Sequence, residues 1–239
     1  MFFFLGMIEP TKEYRVNEVT CVIFSVLMLA TSTAFAVDLS DAAFAKACPA
    51  DAAWVAAQQH SVPLAKEHLS NAQLRSEIDK RFDADQSARN AISASQGDKS
   101  LVAKVIEVDQ SNLPWLKQQI AKYGFPSVAE VGHKGVEEIF MLTQHADSDP
   151  AFQVNVLTLM EPLVDANEVS KKAVAFLTDR VLVAQGKPQR YGTQFGKDSH
   201  GKRMLQPVEH ETDLDKRRAS MDLEPESDYK CRMDFVFGK

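Results

Sequence analysis

The stretch KGVEEIFMLTQHADSDPAFQVNVLTLMEPL, residues 134–163, decides the fold of this chain. Apolar residues recur in its first half at the three- and four-residue spacing of one helical face: Val136, Ile139 and Phe140. The polar run DSDP then interrupts the pattern, and Asp149 before Pro150 is a typical helix start. We therefore predict one helix over residues 134–145 and a second over residues 150–163.

Helical periodicity continues on both sides of this stretch. Further helices are predicted at about 38–47, 51–59, 71–95, 99–122, 168–185 and 213–221. Pro114 removes a backbone donor inside one of them and predicts a kink or a break, and Gly124 is placed like a helix C-cap.

The segment 191–194 is too short and polar for a helix. We predict that it is extended and pairs with residues 205–208 across a loop near 197–202. The sequence thus indicates an all-α fold, a single compact multi-helix domain over residues 37–239 with at most a small two-stranded appendage near 190–208.

Composition places the chain among ordinary globular proteins, with 45% hydrophobic and 25% charged residues. The formal net charge is −6, and the sequence has no long basic stripe. Because nucleic-acid binding needs a basic surface, we expect no nucleic-acid partner. No Gly-rich phosphate-binding loop is present either, so nucleotide hydrolysis has no support.

The N-terminus resembles an export signal. Residues 19–30 form a mostly apolar run, shorter than the ~20 residues that a membrane-spanning helix needs, and an Ala-x-Ala pattern ends at Ala36. We predict a signal peptide over residues 1–36, periplasmic or secreted localisation, and no stable membrane insertion after cleavage. The alternative is an uncleaved membrane anchor. Three acidic residues before position 19 are atypical of a signal peptide. One explanation is an over-extended N-terminus, with translation starting near Val16.

Cleavage at this point would remove Cys21 and leave two cysteines, Cys48 and Cys231. In an oxidising compartment the two would form a disulfide that closes nearly the whole chain. The alternative is two unrelated buried thiols, because the sequence does not set the distance between their Cα atoms.

Three compact polar groups lie at the ends of predicted helices: QHAD at 144–147, Asp179-Arg180, and QRYGTQ at 189–194. Buried polar side chains need hydrogen-bond partners, so this clustering predicts one shared polar site. Arg217 and Arg218, by contrast, are expected on a solvated face of the last predicted helix.

These groups resemble the pattern of a bacterial family defined only as a domain of unknown function, number 6624. The similarity rests on QHAD at 144–147, LTDR at 177–180 and YGTQ at 191–194, and it covers roughly residues 74–229. The resemblance implies membership of that family and carries no activity, cofactor or partner.

The preferred interpretation of the polar site is a pocket that binds a small anionic ligand or a partner's chain end, because arginine pairs well with carboxylate and phosphate. The candidate ligand-binding residues are Asp85, Arg89, Asp109, Gln144, Asp147, Arg180, Tyr191 and Gln194. Each of these groups equally fits a structural salt bridge or a helix cap, as Asp85 and Arg89 do at i and i+4.

The alternative function is a hydrolase that acts on a small polar or cell-envelope substrate. The candidate catalytic residues are His145, as general base, and Asp179, as the carboxylate that orients it. A histidine oriented by a carboxylate is the minimum apparatus for activating water. No Ser or Cys stands in a nucleophile-elbow pattern, so direct attack by water is the expected mechanism.

We expect no metal and no cofactor. The six histidines are scattered, and neither His-x-x-x-His nor Cys-x-x-Cys occurs. The cluster Glu209-His210-Glu211 is too weak a signature to predict a metal site.

Overall fold

The computed structural model describes residues 42–58, 69–94 and 98–237. The predicted signal peptide and its cleavage point lie outside these residues. The described helices are α1 (Ala42–Ala47), α2 (Pro49–Gln58), α3 (Ala72–Ala94), α4 (Lys99–Tyr123), α5 (Val128–Gln144), α6 (Pro150–Met160), α7 (Lys171–Ala184), α8 (Leu214–Ser220) and α9 (Glu226–Phe237). Short 3-10 turns cover Glu161–Leu163 and Glu211–Asp213. None of the described helices combines the length and the hydrophobicity that a membrane span requires.

The main core lies between α3, α4, α5, α6 and α7. Each of these helices contributes a side chain with no solvent exposure: Ile78, Leu116, Phe140, Val156 and Leu177. Burial of each such side chain stabilises the fold by about 1.5–3 kcal/mol. The predicted apolar stripes therefore pack against one another, which confirms the all-α architecture.

The start of α5 differs from the prediction. The helix begins at Val128 rather than at residue 134, and Gly132 interrupts its helical geometry with φ of 74°. At its start the Glu130 carboxylate accepts hydrogen bonds from the backbone N–H and the hydroxyl of Ser127, at 2.9 and 2.8 Å. This cap starts the helix early, and the positive φ of Gly132 explains why the periodic pattern becomes clear only after it.

Gly135 allows α3 to approach α5 closely. A Cβ added at this position would lie 2.5 Å from Arg75 Nη1, and that arginine pairs with the fully buried Glu138 at 2.7 Å. The absence of a side chain at 135 therefore leaves space for an ion pair between the two helices.

Helix α4 runs through Pro114 without ending, so the predicted break does not occur. Its end agrees with the prediction, because Gly124 adopts φ of 79° and its N–H donates to Ile120 O at 3.0 Å.

The two-stranded sheet has different bounds from those predicted: its first strand lies further along the chain than residues 191–194, and its second strand begins before residue 205. Strand β1 (Phe195–Lys197) pairs antiparallel with β2 (Arg203–Leu205), and Phe195 faces Leu205. Residues 191–194, predicted as a strand, do not belong to it. Backbone amides in residues 190–193 are instead hydrogen-bonded to the Asp179 side chain, which prevents them from pairing with a neighbouring strand.

Helix α9 was not predicted from the sequence. Its buried face comprises Tyr229, Arg232 and Met233, so a charged residue stands in the middle of the apolar pattern. Arg232 is buried because Asp51 of α2 accepts a hydrogen bond from its Nε at 2.7 Å. A buried arginine paired from a distant helix leaves no periodic signal in the local sequence.

The N-terminal helices are attached to α9 by a disulfide between Cys48 and Cys231, as predicted. The Asp51–Arg232 ion pair lies beside this bond, and the rings of Phe44 and Phe235 have centroids 5.4 Å apart. These contacts join the two ends of the described chain.

The disulfide is expected to contribute substantially to stability, because it closes a loop of 183 residues in the unfolded chain. Cys231→Ser should lower the free energy of unfolding by about 2–5 kcal/mol, measured by urea titration. Dithiothreitol should lower the melting temperature of the parent protein but not that of the variant. Equal melting temperatures for the reduced and oxidised parent would contradict this prediction.

Candidate functional site

The predicted polar site centres on His145, at the end of α5. Charged side chains from three helices and one connecting segment surround it, and we call this group the His145 cluster: Asp85, Arg89, Asp109, His145, Asp147 and Arg180. Four of these six are at most 4% exposed, namely Asp85, Arg89, His145 and Arg180. Because isolated buried charges are costly, the geometry of the pairing decides what this cluster can do.

Arg89 contacts three other members of the cluster, one on α3, one on α4 and one at the end of α5. Its Nη2 donates to Asp109 Oδ1 at 2.5 Å, and its Nε lies 3.1 Å from Asp85 Oδ1 and 2.9 Å from His145 Nδ1. One guanidinium therefore joins the helices that form the site, and its rigid planar fork of donors suits this role.

The tautomer of His145 follows from its contact with Asp85. Nδ1 lies 2.8 Å from Asp85 Oδ1, a distance that requires a proton between the two atoms because a carboxylate can only accept. With the proton on Nδ1, Arg89 Nε can donate to the same carboxylate, and the other Asp85 oxygen accepts from Gln86 Nε2 at 2.8 Å. The neutral ring then has its lone pair on Nε2.

His145 Nε2 is buried and has no hydrogen-bond partner among the described residues. The whole side chain is almost completely buried. An unsatisfied buried nitrogen costs about 1–3 kcal/mol, so native structures seldom contain one without a water or a ligand beside it. This atom is the clearest candidate for a functional group at the site.

Burial and neighbouring charges lower the pKa of two members of the cluster and raise the pKa of a third. Burial opposes ionisation of Asp85, but His145 and Arg89 outweigh it and hold the pKa of Asp85 below its usual range. Burial, reinforced by the charge of Arg89, lowers the pKa of His145, although Asp85 opposes this shift. Burial raises the pKa of Asp109 to about 7; Arg89 counteracts the shift, and Asp85 and Asp147 add to it. At neutral pH the imidazole is therefore uncharged beside an ionised Asp85.

Side chains on α6 and α7 hold the backbone around His145 in place. Arg180 Nη1 donates to both oxygens of Asp147, at 2.6 and 2.7 Å. The fully buried Gln153 directs its Nε2 at Gln144 O, at 3.1 Å, and at Asp147 Oδ1, at 3.2 Å. Gln153 gave no signal of a site residue in the sequence, because its role depends on its contact with the end of a neighbouring helix.

Asp179 lies in a different arrangement, which organises the segment 189–194. Its carboxylate accepts hydrogen bonds from the backbone N–H of Arg190, Tyr191 and Thr193, at 2.7, 2.9 and 2.9 Å, and from the Thr193 hydroxyl at 2.9 Å. Burial raises the pKa of Asp179, although these hydrogen bonds act in the opposite direction. Asp85, not Asp179, is the carboxylate hydrogen-bonded to the His145 ring.

Arg218 holds the same segment from the opposite side. It is completely buried, so the expectation of a solvated face was wrong for this residue. Its Nη1 donates to Tyr191 O at 2.7 Å and to Gly192 O at 3.2 Å, and its Nε donates to Glu224 O at 2.6 Å. A carboxylate on the backbone amides and a guanidinium on the carbonyl groups thus fix one turn.

Gln189 completes this turn. It is fully buried, and its side chain bonds to the backbone of Gln194 in both directions, at 2.8 and 3.0 Å. Gln194 Nε2 donates to the Thr193 hydroxyl at 2.9 Å, and Tyr191 is half-buried. The predicted single site is therefore two separate arrangements: the His145 cluster with Gln144, and the segment 189–194. The neighbouring residues on α7 belong to different arrangements, because Arg180 binds Asp147 of the cluster and Asp179 binds the segment.

The His145 cluster contains one candidate set of metal ligands. Ligand atoms of Asp85, Asp109 and His145 lie within 4.8 Å of one another. The guanidinium of Arg89 lies within hydrogen-bonding distance of all three side chains. A metal ion bound to these ligands would have to displace this cation.

A separate groove of about 430 Å³ lies between α5 and the start of α7. On its lining the Lys172 ammonium stacks on the Trp54 ring at 4.3 Å, and Glu137 is hydrogen-bonded to Ser170. Lys172 and Glu137 thus have partners within the protein, in contrast to the unsatisfied His145 Nε2.

The pH dependence of stability should report the state of Asp109. Its pKa is raised to about 7, so the folded protein binds this proton more tightly than the unfolded chain does. The resulting stabilisation is complete below the ordinary carboxyl pKa and is lost as pH rises through about 7. Asp109→Asn should therefore raise the melting temperature, relative to the parent, more at pH 8 than at pH 4. The exposed Asp83→Asn on α3 serves as the control, and an Asp109→Asn shift independent of pH would contradict the prediction.

Asp179→Ala should destabilise the protein by about 1–3 kcal/mol or more, because three backbone amides lose their acceptor. Denaturant titration measures this effect, with the exposed Asp165→Ala as a control. An unchanged midpoint would show that the segment 189–194 does not depend on this carboxylate.

Comparison with known proteins agrees with the resemblance seen in the sequence. A family model described as a family of unknown function, DUF6624, matches residues 72–239. No curated protein and no solved structure matches the chain. The matched region begins at α3 and includes the whole His145 cluster and the segment 189–194, whereas α1 and α2 precede it. The chain belongs to the family of unknown function DUF6624.

Proposed function

We propose that this protein is an exported hydrolase that uses His145 as a general base to activate water on a small polar or cell-envelope substrate. The observation that carries this proposal is His145 Nε2: a buried lone pair without a partner among the described residues, on a ring whose other nitrogen is held by Asp85. A base oriented in this way accelerates water attack by about 10²–10⁴-fold.

The reaction would proceed by direct attack of water on an ester or amide carbonyl. His145 Nε2 takes a proton from the water while the water oxygen bonds to the carbonyl carbon. The resulting imidazolium is stabilised by Asp85, and Nε2–H returns the proton to the departing oxygen or nitrogen as its bond to carbon breaks. The imidazole is neutral again after each cycle, so no other proton donor is required.

The charge arrangement supports this chemistry over capture of an anionic ligand. Arg89 is paired with Asp85 and Asp109, and Arg180 is paired with both oxygens of Asp147. An anion would have to compete with these carboxylates for the same donors and would be repelled by them. Binding through Arg89, Arg180 and Tyr191 therefore has less support than base catalysis.

Export is supported by two features. The disulfide between Cys48 and Cys231 is typical of proteins that fold outside the reducing cytoplasm. The apolar run at residues 19–30, followed by the Ala-x-Ala pattern, is typical of a signal peptide. Mass spectrometry of the protein from cell fractions should find a periplasmic or secreted form that begins at Val37; an intact N-terminus would refute cleavage.

The catalytic proposal is tested with chromogenic ester and amide probes on three variants. His145→Ala and Asp85→Asn should each lower kcat by about 100-fold or more. Asp83→Asn changes an exposed carboxylate two residues from Asp85 and should leave kcat unchanged. Full activity in His145→Ala, or no hydrolysis of any probe by the parent protein, would refute the proposal.

The pH profile of kcat gives an independent test. Because burial and Arg89 lower the pKa of His145, the base remains deprotonated and active below pH 6.5. We expect kcat to be flat from pH 7 to 8 and to fall on acidification with a midpoint below 6.5. A midpoint above 6.5 would indicate a different base.

A further inference from the structure

The His145 cluster has more negative than positive groups. Its carboxylates are Asp85, Asp109 and Asp147, and its guanidiniums are Arg89 and Arg180. Because the imidazole is uncharged at neutral pH, one negative charge remains uncompensated when all three carboxylates are ionised.

Asp109 is where this surplus charge is located. Its partner Arg89 is shared with Asp85, whereas Asp147 receives two hydrogen bonds from Arg180. The Asp109 side chain is 18% exposed, against 1% for Asp85. A ligand that approaches from solvent therefore meets a carboxylate that shares its only charged partner in the cluster.

Three buried acceptor atoms at the site also have no hydrogen-bond partner among the described residues: His145 Nε2, Gln144 Oε1 and Gln153 Oε1. The orientation of the Gln153 amide is fixed by its surroundings, because Nε2 faces the carbonyl oxygens of Thr143 and Gln144 and the carboxylate of Asp147. A ligand that satisfies such atoms must supply N–H or O–H donors.

We propose that the His145 cluster binds the primary ammonium group of an amine-bearing substrate, with Asp109 as its counter-ion and the buried side-chain oxygens of Gln144 and Gln153 as partners for its N–H groups, so that His145 Nε2 still accepts the proton of the attacking water. An ammonium group combines one positive charge with three donors, which matches both the surplus charge and the unpartnered acceptors. This inference rests on the proposed function and adds the substrate class to it.

Other ligand classes fit less well. An anion would be repelled by the surplus negative charge, and a quaternary ammonium has the charge but no N–H donors. A metal ion would compete with Arg89, whose guanidinium already lies within hydrogen-bonding distance of the candidate metal ligands.

The test is a binding experiment that needs no turnover. Methylammonium chloride, tetramethylammonium chloride and sodium acetate are titrated into the full-length protein at matched ionic strength. Binding is followed by the melting temperature and by the NMR resonances of the His145 ring. Methylammonium should raise the melting temperature saturably and shift these resonances, whereas the other two salts should do neither.

Variants and pH locate the binding site. Asp109→Asn should weaken methylammonium binding by at least about tenfold, and Asp83→Asn should not change it. The groups that face Asp109 are Asp85 and Arg89 from α3 and Asp147 from the segment after α5, with His145 and Arg180 in the same cluster. Because Asp109 gains a proton as pH falls through about 7, affinity should be about tenfold lower at pH 6 than at pH 8.

The inference would be overturned by any of three results: equal effects of methylammonium and tetramethylammonium, binding of acetate, or no saturable binding of methylammonium by the folded parent protein. These outcomes are distinct from failure of the proposed function. Methylammonium binding together with a fully active His145→Ala variant would retain the ammonium site and refute the general-base mechanism.

Discussion

The guanidinium of Arg89 is the interaction on which the centre of the molecule depends. It contacts Asp85 on its own helix, Asp109 on α4 and His145 at the end of α5. Removing one member of such a buried network leaves other charges unpaired, which costs about 3–5 kcal/mol. Arg89 therefore holds in place Asp85, which sets the tautomer of His145, and it is also the cation that Asp109 shares with Asp85.

Helix α7 connects this centre to the segment 189–194 through two neighbouring residues. Arg180 binds Asp147 beside His145, while Asp179 binds the backbone amides of the segment. Arg218 donates hydrogen bonds to the carbonyl groups of that segment and to Glu224 O. Arg232 pairs with the Glu224 carboxylate and with Asp51 of α2, and so connects this part of the chain to α2. Asp179, within the LTDR stretch of α7, thus helps to hold the turn that contains YGTQ, and charges of both signs fix this turn.

The helices of the core were predictable because their apolar residues repeat with the period of an α-helix. Ile139, Phe140 and Leu177 are buried as this pattern indicated. The predictions were wrong where a polar side chain replaces the apolar signal. Arg232 interrupts the buried face of α9, and the Asp179 carboxylate occupies the amides that a strand at 191–194 would need.

By itself, the sequence determined the fold class, the family and the candidate residues that make up the His145 cluster, because periodicity and motif order are local properties of the chain. It also identified the two cysteines that form the disulfide, although not that they pair. Only the tertiary structure decided that Asp85 orients His145, that Asp179 instead fixes a turn, and that Arg218 is buried. These assignments join residues 60, 14 and 27 positions apart. Such pairings depend on how the helices pack, which no local pattern encodes.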